Sequence, residues 1–236
     1  MKYLRNWDNK TWLSSKEYII SFHKYLKSKT KINKSTKILD IGCGRANIIS
    51  HLNSKYKFLR KPIGIDIIKN KDIKKNILFK KIDAIKYLKS SKEVFDLILI
   101  KQTIHFFNKK EVKILLNLAK KHLSKKGKIF IFSLTTTKNE LPTFKKMKEQ
   151  LNKSLEIDKN LVGEIKANFK KYQQNYFKFK VKIAKKDYLK MLKKRYISCL
   201  LKFTNKDIKI GIKELNLKYK KDIQFYDKLN CLIYRN

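Results

Sequence analysis

The segment Lys37-Ile38-Leu39-Asp40-Ile41-Gly42-Cys43-Gly44 constrains this chain most. A short apolar run carries one acidic residue near its end, then two glycines one residue apart. A helix-compatible stretch, 47–52, follows. The pattern predicts a buried strand that turns sharply into a helix. Glycine lets the backbone approach a ligand because no Cβ stands in the way. The free N–H groups of the helix start face the same point. The turn is therefore expected to be the floor of a nucleotide-like site.

The acidic residues narrow the ligand. A dinucleotide fingerprint has a third glycine, and here that position is Asn47. Asp40 stands two residues before Gly42, where its carboxylate would repel a diphosphate and attract an ammonium group. Asp66 ends a second apolar run, Ile63-Gly64-Ile65-Asp66-Ile67, 24 positions after Gly42. An acid there can accept both hydroxyls of a ribose. A cationic amino acid joined to adenosine without a phosphate suits both acids, and S-adenosylmethionine is such a ligand.

With these residues in place the chain resembles the class I S-adenosylmethionine-dependent methyltransferases. The resemblance is carried first by Asp40-Ile41-Gly42-Cys43-Gly44, followed by Arg45 and by Ala46, where the family often has another glycine. Asp66, with Ile67 beside it, matches the ribose-binding acid. Lys81-Ile82-Asp83-Ala84 matches the segment whose Asp holds the adenine amino group. Phe95 to Gln102 matches the fourth strand and its following loop, which puts Lys101 and Gln102 at the cleft. Leu123-Ser124-Lys125-Lys126-Gly127-Lys128-Ile129-Phe130-Ile131 matches the turn and fifth strand. The match covers about residues 36–134. It implies a doubly wound α/β fold, Rossmann-like, with a seven-stranded mostly parallel sheet in which one strand is antiparallel.

Periodicity agrees with that frame. Strands are expected near 37–41, 62–66, 77–81, 95–100 and 128–134, and helices near 46–54, 84–90 and 110–123, with Gly127 as the last helix exit. Such alternation gives a parallel sheet with helices on both faces. Residues 1–35 are expected to form an N-terminal helical cap, in which Trp7, Trp12 and Tyr18 make an aromatic lid. Residues 36–134 form the cofactor core, and 135–236 a helical lid with closing strands, all within a single domain. In that last part 138–172 is expected as an inserted helical lid, 176–183 as a half-exposed strand, and 186–203 and 206–219 as helices. The run 223–234 reads as strand with a turn near Asp227.

Composition bounds the partners. The net charge is +41, but only Arg5, Arg45, Arg60, Arg195 and Arg235 among the 60 basic residues are arginine. Dedicated phosphate-reading surfaces use the guanidinium fork. Lysine, isoleucine and asparagine rise together here, as AT-rich coding sequence produces, and the lysines run from end to end. A nucleic-acid partner is thus the second choice. Cys43, Cys199 and Cys231 are scattered and odd in number, which predicts a reducing compartment without a disulfide framework. No paired-cysteine or histidine cluster predicts a metal. No apolar run reaches about 18 residues, and the start lacks the apolar core of a secretory signal, so the cytoplasm is the expected location.

Beyond the cofactor, His105 resembles a histidine found after the fourth strand in the small-molecule branch of the family, and it is the candidate general base. Arg195-Tyr196-Ile197-Ser198 resembles a segment lining the acceptor pocket in relatives of trans-aconitate methyltransferase. Arg195, Tyr196 and Ser198 are therefore the candidate substrate-binding residues, with a retained arginine suited to an anionic acceptor. Arg45 is expected to meet the methionine carboxylate. The expected activity is direct methyl displacement onto a small, carboxylate- or hydroxyl-bearing metabolite. An RNA methyltransferase and an inactive cofactor-binding scaffold are the alternatives. The absence of an Asn/Asp-Pro-Pro-aromatic motif after strand four argues against methylation of adenine or glutamine amino groups.

Overall fold

The computed structural model describes residues 11–169 and 171–236. Trp7, expected in the aromatic lid, lies outside them. One sheet organises the chain. Its strands are β1 (Ile38–Ile41), β2 (Ile63–Asp66), β3 (Leu78–Lys81), β4 (Phe95–Lys101), β5 (Leu123–Leu134), β6 (Gln173–Ala184) and β7 (Asp222–Arg235). They stand in the order β3-β2-β1-β4-β5-β7-β6. β7 runs antiparallel to both neighbours, and the other strand pairs are parallel.

The helices are α1 (Lys16–Lys29), α2 (Asn47–Tyr56), α3 (Ala84–Ser90), α4 (Lys109–Lys121), α5 (Lys145–Phe169), α6 (Lys185–Lys193) and α7 (Asn205–Lys218). Alternate side chains of each central strand feed two separate cores, as period-two geometry requires. Ile38, Leu97, Leu99, Phe130 and Phe132 join α1 and α2 on one face. Leu39, Ile41, Ile98, Ile100 and Ile131 join α3 and α4 on the other. Strands buried on both faces explain the near-continuous apolar runs.

Local chemistry sets the helix limits. Ser15 caps α1 by accepting from Tyr18 N–H, and Tyr18, Phe22 and Leu26 form its buried stripe. Asn108 with Glu111 starts α4, and Thr204 with Asp207 starts α7, each as a reciprocal capping box. Helix α4 stops at His122, whose ring bonds the carbonyls of Glu93 and Leu88.

Four expectations are corrected. Strand β5 starts at Leu123, so Gly127 lies inside it rather than at a helix exit. A Cβ on Gly127 would stand 2.9 Å from the Phe95 carbonyl oxygen, which is why glycine is there. Strand β7 is continuous through Asp227, without a turn. The expected helix 186–203 is broken: α6 ends at Lys193, Arg195 takes φ +50°, and a 3-10 turn follows at Ser198–Lys202. Helix α5 is more than an inserted lid. Its first half (Met147, Leu151, Leu155) packs in the α1–α2 core and its second half (Leu161, Ile165, Phe169) in the α3–α4 core.

Candidate functional site

The site grows from the end of β1. Gly42, Gly44 and Ala46 all take left-handed φ values of +71°, +56° and +59°. Gly42 and Cys43 donate their N–H groups to Ile65 O at 2.9 and 3.1 Å, which ties the turn to β2. A Cβ on Gly42 would stand 2.2 Å from Thr103 Oγ1, so this glycine admits the loop after β4. A Cβ on Gly44 would meet nothing within 4 Å, because the turn faces open space there. That space is a cavity of about 620 Å³ along the carboxyl ends of the strands.

Asp66, at the end of β2, is held at both oxygens. Oδ2 accepts from Gly44 N–H and Oδ1 from Ile68 N–H, each at 2.9 Å. Burial raises its pKa, and these backbone donors act in the opposite direction. Each carboxylate oxygen has a second lone pair, so the fixed carboxylate can still accept two hydroxyls. Ile67, half exposed, and Ala84, buried, line the same wall. Asp83 also lines it, while its Oδ1 caps α3 by accepting from Lys86 N–H at 2.9 Å.

Asp40 is only 6% exposed and lies on the α1–α2 face of β1. Burial lifts its pKa to about 7, Lys101 opposes the rise, and Asp66 adds to it. Lys101 itself lies over the rings of Tyr18 and Phe22, at 5.3 and 5.6 Å, and donates to Gln102 Oε1. Gln102 takes φ +52°, an uncommon conformation for a residue with a side chain, as often found where a site is held under strain. The sequence reading missed Asp227. It is 2% exposed, borders the cavity and accepts from Trp12 Nε1 at 2.9 Å. An acid in the middle of an apolar strand is the sign that the sequence carries for it.

The far end of the cavity is bounded by α5, the 3-10 turn Ile104–Phe106 and the turn Ser198–Lys202. His105 is there, and burial pushes its pKa down to about 4, so the ring is neutral near pH 7. Tyr196 and Ser198 line the wall. The Tyr196 hydroxyl is engaged with that of Tyr188 at 2.8 Å. Asp158 of α5, also missed, lines this end too.

Three expected placements are corrected. Arg195 does not line the cavity: its Nη2 donates to Phe203 O at 3.1 Å and to Asn205 Oδ1 at 2.9 Å, bracing the break after α6. Arg45 faces a second cleft with Lys16, His51 and Lys74, and approaches Asp72 at 3.7 Å. The left-handed turn at Gly44 directs the next side chain away from the cavity. Tyr18 is a fully buried core residue rather than a lid, whereas Trp12 does border the cavity.

The donor set therefore brings Asp40, Asp66 and Asp83 around the glycine turn, with Lys101 at one end. The arginine and lysine that flank the turn in sequence and space face the other cleft. Such a floor repels a diphosphate and suits a neutral nucleoside carrying an ammonium group.

Comparison with known proteins follows the same line. The sequence model of a family described as a methyltransferase domain matches residues 32–196. No curated protein matches. Among solved structures, an S-adenosylmethionine-dependent methyltransferase from Archaeoglobus fulgidus is 19% identical, with 92% of each chain covered and a TM-score of 0.53. YjhP from E. coli is 12% identical, covering 99% of this chain and 98% of that one, with a TM-score of 0.59. The N-methyltransferase NodS from Bradyrhizobium japonicum, solved with S-adenosylhomocysteine, is 12% identical, covering 97% and 92%, with a TM-score of 0.52. At these identities the likeness is one of fold.

Proposed function

From the premise that the chain belongs to the methyltransferase-domain family, we propose that its cavity transfers a methyl group from S-adenosylmethionine to a small acceptor held under α5. The chain is a methyltransferase and S-adenosylmethionine is its cofactor. What each residue does, and what accepts the methyl group, is our reading. The observation that carries it is the Asp66 carboxylate, fixed by Gly44 and Ile68 N–H groups at the mouth of the glycine turn.

Bound there, S-adenosylmethionine supplies a methyl carbon made electrophilic by its sulfonium sulfur. Asp66 takes the ribose hydroxyls. Asp83 and Ala84 border the adenine edge, and Ile67 offers an apolar surface to its face. Asp40 attracts the ammonium group, and Lys101 with Gln102 closes that end. Gly44 lets the backbone approach. The chain's remaining task is to align a nucleophile and exclude water, and alignment alone can supply roughly 7–11 kcal/mol. His105, neutral at pH 7, can accept a hydrogen bond from the acceptor.

A small acceptor is favoured over RNA because α5 and the turn Ser198–Lys202 wall the far end, with Leu151, Leu155 and Cys199 of the α1–α2 core among the lining. An anionic acceptor loses its main support, since Arg195 is spent on Phe203 and Asn205. Incubation with S-adenosylmethionine and pooled small metabolites, followed by mass spectrometry, tests the reading. A metabolite that gains one methyl while S-adenosylhomocysteine accumulates supports it. Methyl gain on added RNA alone would replace it.

A further inference from the structure

Helix α5 passes from one core to the other beside the carboxyl edge of the sheet. Leu151 and Leu155 belong to the α1–α2 core, Leu161 and Ile165 to the α3–α4 core. Asp158 sits on the same stripe between them, three residues after Leu155 and seven before Ile165. A carboxylate on the buried stripe of a helix loses hydration and needs compensation. Among the described residues the Asp158 carboxylate has no hydrogen bond and no ion pair. In a chain with 60 lysines and arginines that is informative. Partly exposed acids elsewhere do find partners, as Asp207 does with Lys146 and Glu140 with Lys228. Burial alone acts on Asp158, raising its pKa to about 6, with no cation opposing it.

Aromatic and apolar side chains share its cavity wall. The cavity wall beside α5 includes Phe106, 56% exposed, together with Phe107 and Ile157. An exposed ring attracts a cation through its face, and an unpaired carboxylate attracts the same cation by charge and hydrogen bonding. The two together select an alkylammonium group over a carboxylate or a neutral alcohol. The other titratable groups at this end are His105, Glu111, Lys153, Tyr196, Cys199 and Lys202. His105 is neutral at pH 7, and Glu111 is occupied in the capping box of α4.

We propose that Asp158, with Phe106 on the same cavity wall, recognises the ammonium group of the methyl acceptor, a small aliphatic amine. The amine nitrogen gives up one proton to Asp158 and on to solvent before its lone pair takes the methyl carbon, and the carbon–sulfur bond breaks to leave S-adenosylhomocysteine. This rests on the methyl-transfer reading of the same cavity. It is compatible with the missing Asn/Asp-Pro-Pro-aromatic motif, which concerns planar amide and base nitrogens rather than aliphatic ones.

The test uses the intact protein saturated with S-adenosylhomocysteine. Calorimetry then follows butylamine, benzylamine and ethanolamine against butyrate, benzoate and butanol. The expected result is saturable binding of at least one amine and weaker or no binding of the acids and the alcohol. Asp158→Asn should weaken that amine at least ten-fold, while Asp158→Glu keeps most of the affinity. S-adenosylhomocysteine affinity should not change in either variant. The melting temperature of Asp158→Asn should hold or rise, because a desolvated charge is removed. Failure of all three amines to bind, amine binding indifferent to Asp158→Asn, or equal binding of the acids would overturn the proposal. So would a fall in melting temperature with Asp158→Asn, which would mark a structural role. Failure of S-adenosylhomocysteine itself to bind would instead remove the methyl-transfer reading on which the proposal rests.

Discussion

Thr103 fills the space that a side chain on Gly42 would need, with its Oγ1 2.2 Å from the position of such a Cβ. The loop after β4 and the turn after β1 are thereby locked together at the mouth of the cavity. Gly42→Ala meets both this clash and a φ of +71°. It should lower unfolding free energy by about 1–3 kcal/mol. Chemical denaturation of Gly42→Ala and of Gly42→Ala with Thr103→Ala checks this. The double variant should recover only part of the steric loss, because the Cβ of residue 103 still stands 2.8 Å from the new methyl group, and should keep the backbone part.

The indole of Trp12 satisfies a buried carboxylate of β7, Asp227. Trp12→Phe keeps an aromatic ring against Tyr196 and Phe225 but removes the donor. A lost hydrogen bond to a buried charged group costs about 1.5–3 kcal/mol. A double-mutant cycle with Asp227→Asn should show coupling of that order, and additive effects would argue against the bond.

Asp40 makes stability depend on pH in a specific direction. Its folded pKa is about 7, against an ordinary 3.8. Across that window the folded chain holds a proton that the unfolded chain has released, so stability present below about pH 4 is lost as pH rises through 7. Asp40→Asn should remove this decline. His105 acts oppositely: with a folded pKa near 4, its contribution is lost as pH falls from about 6.5. Denaturation midpoints at several pH values for wild type and both single variants, Asp40→Asn and His105→Asn, separate the two. Because an ammonium ligand favours the ionised Asp40, S-adenosylhomocysteine affinity should also tighten between about pH 6 and 8.

Arg195→Ala should leave S-adenosylhomocysteine affinity unchanged and lower stability by about 1 kcal/mol. It removes the bonds to Phe203 and Asn205 at a residue already held at positive φ. Calorimetry and denaturation on the same preparation read both. Unchanged stability in Arg195→Ala would contradict the bracing role.

The gathering of Asp40, Gly42, Gly44 and Asp66 at one end of the cavity was legible because it is local. Asp40, Gly42, Gly44 and Asp66 lie at strand ends, where a few residues set both conformation and direction. The far half was not. Asp158 belongs to a stripe whose meaning appears only when α5 is seen to cross between two cores. Asp227 sits in a strand whose partners lie far away in sequence, so its carboxylate looked like a turn signal. Arg195 and Arg45 stand out in the sequence by side-chain chemistry alone. A helix break and a left-handed turn decide which way they face, and neither is visible in residue type.

The most direct test of the account is calorimetric titration of S-adenosylhomocysteine into wild type, Asp66→Asn and Asp66→Ala. Hydrogen bonds from ribose hydroxyls to a fixed carboxylate are each worth about 1.5–3 kcal/mol. With circular dichroism showing the variants folded, the account predicts at least roughly ten-fold weaker binding for Asp66→Ala, with Asp66→Asn in between. Equal affinity across all three proteins would contradict it.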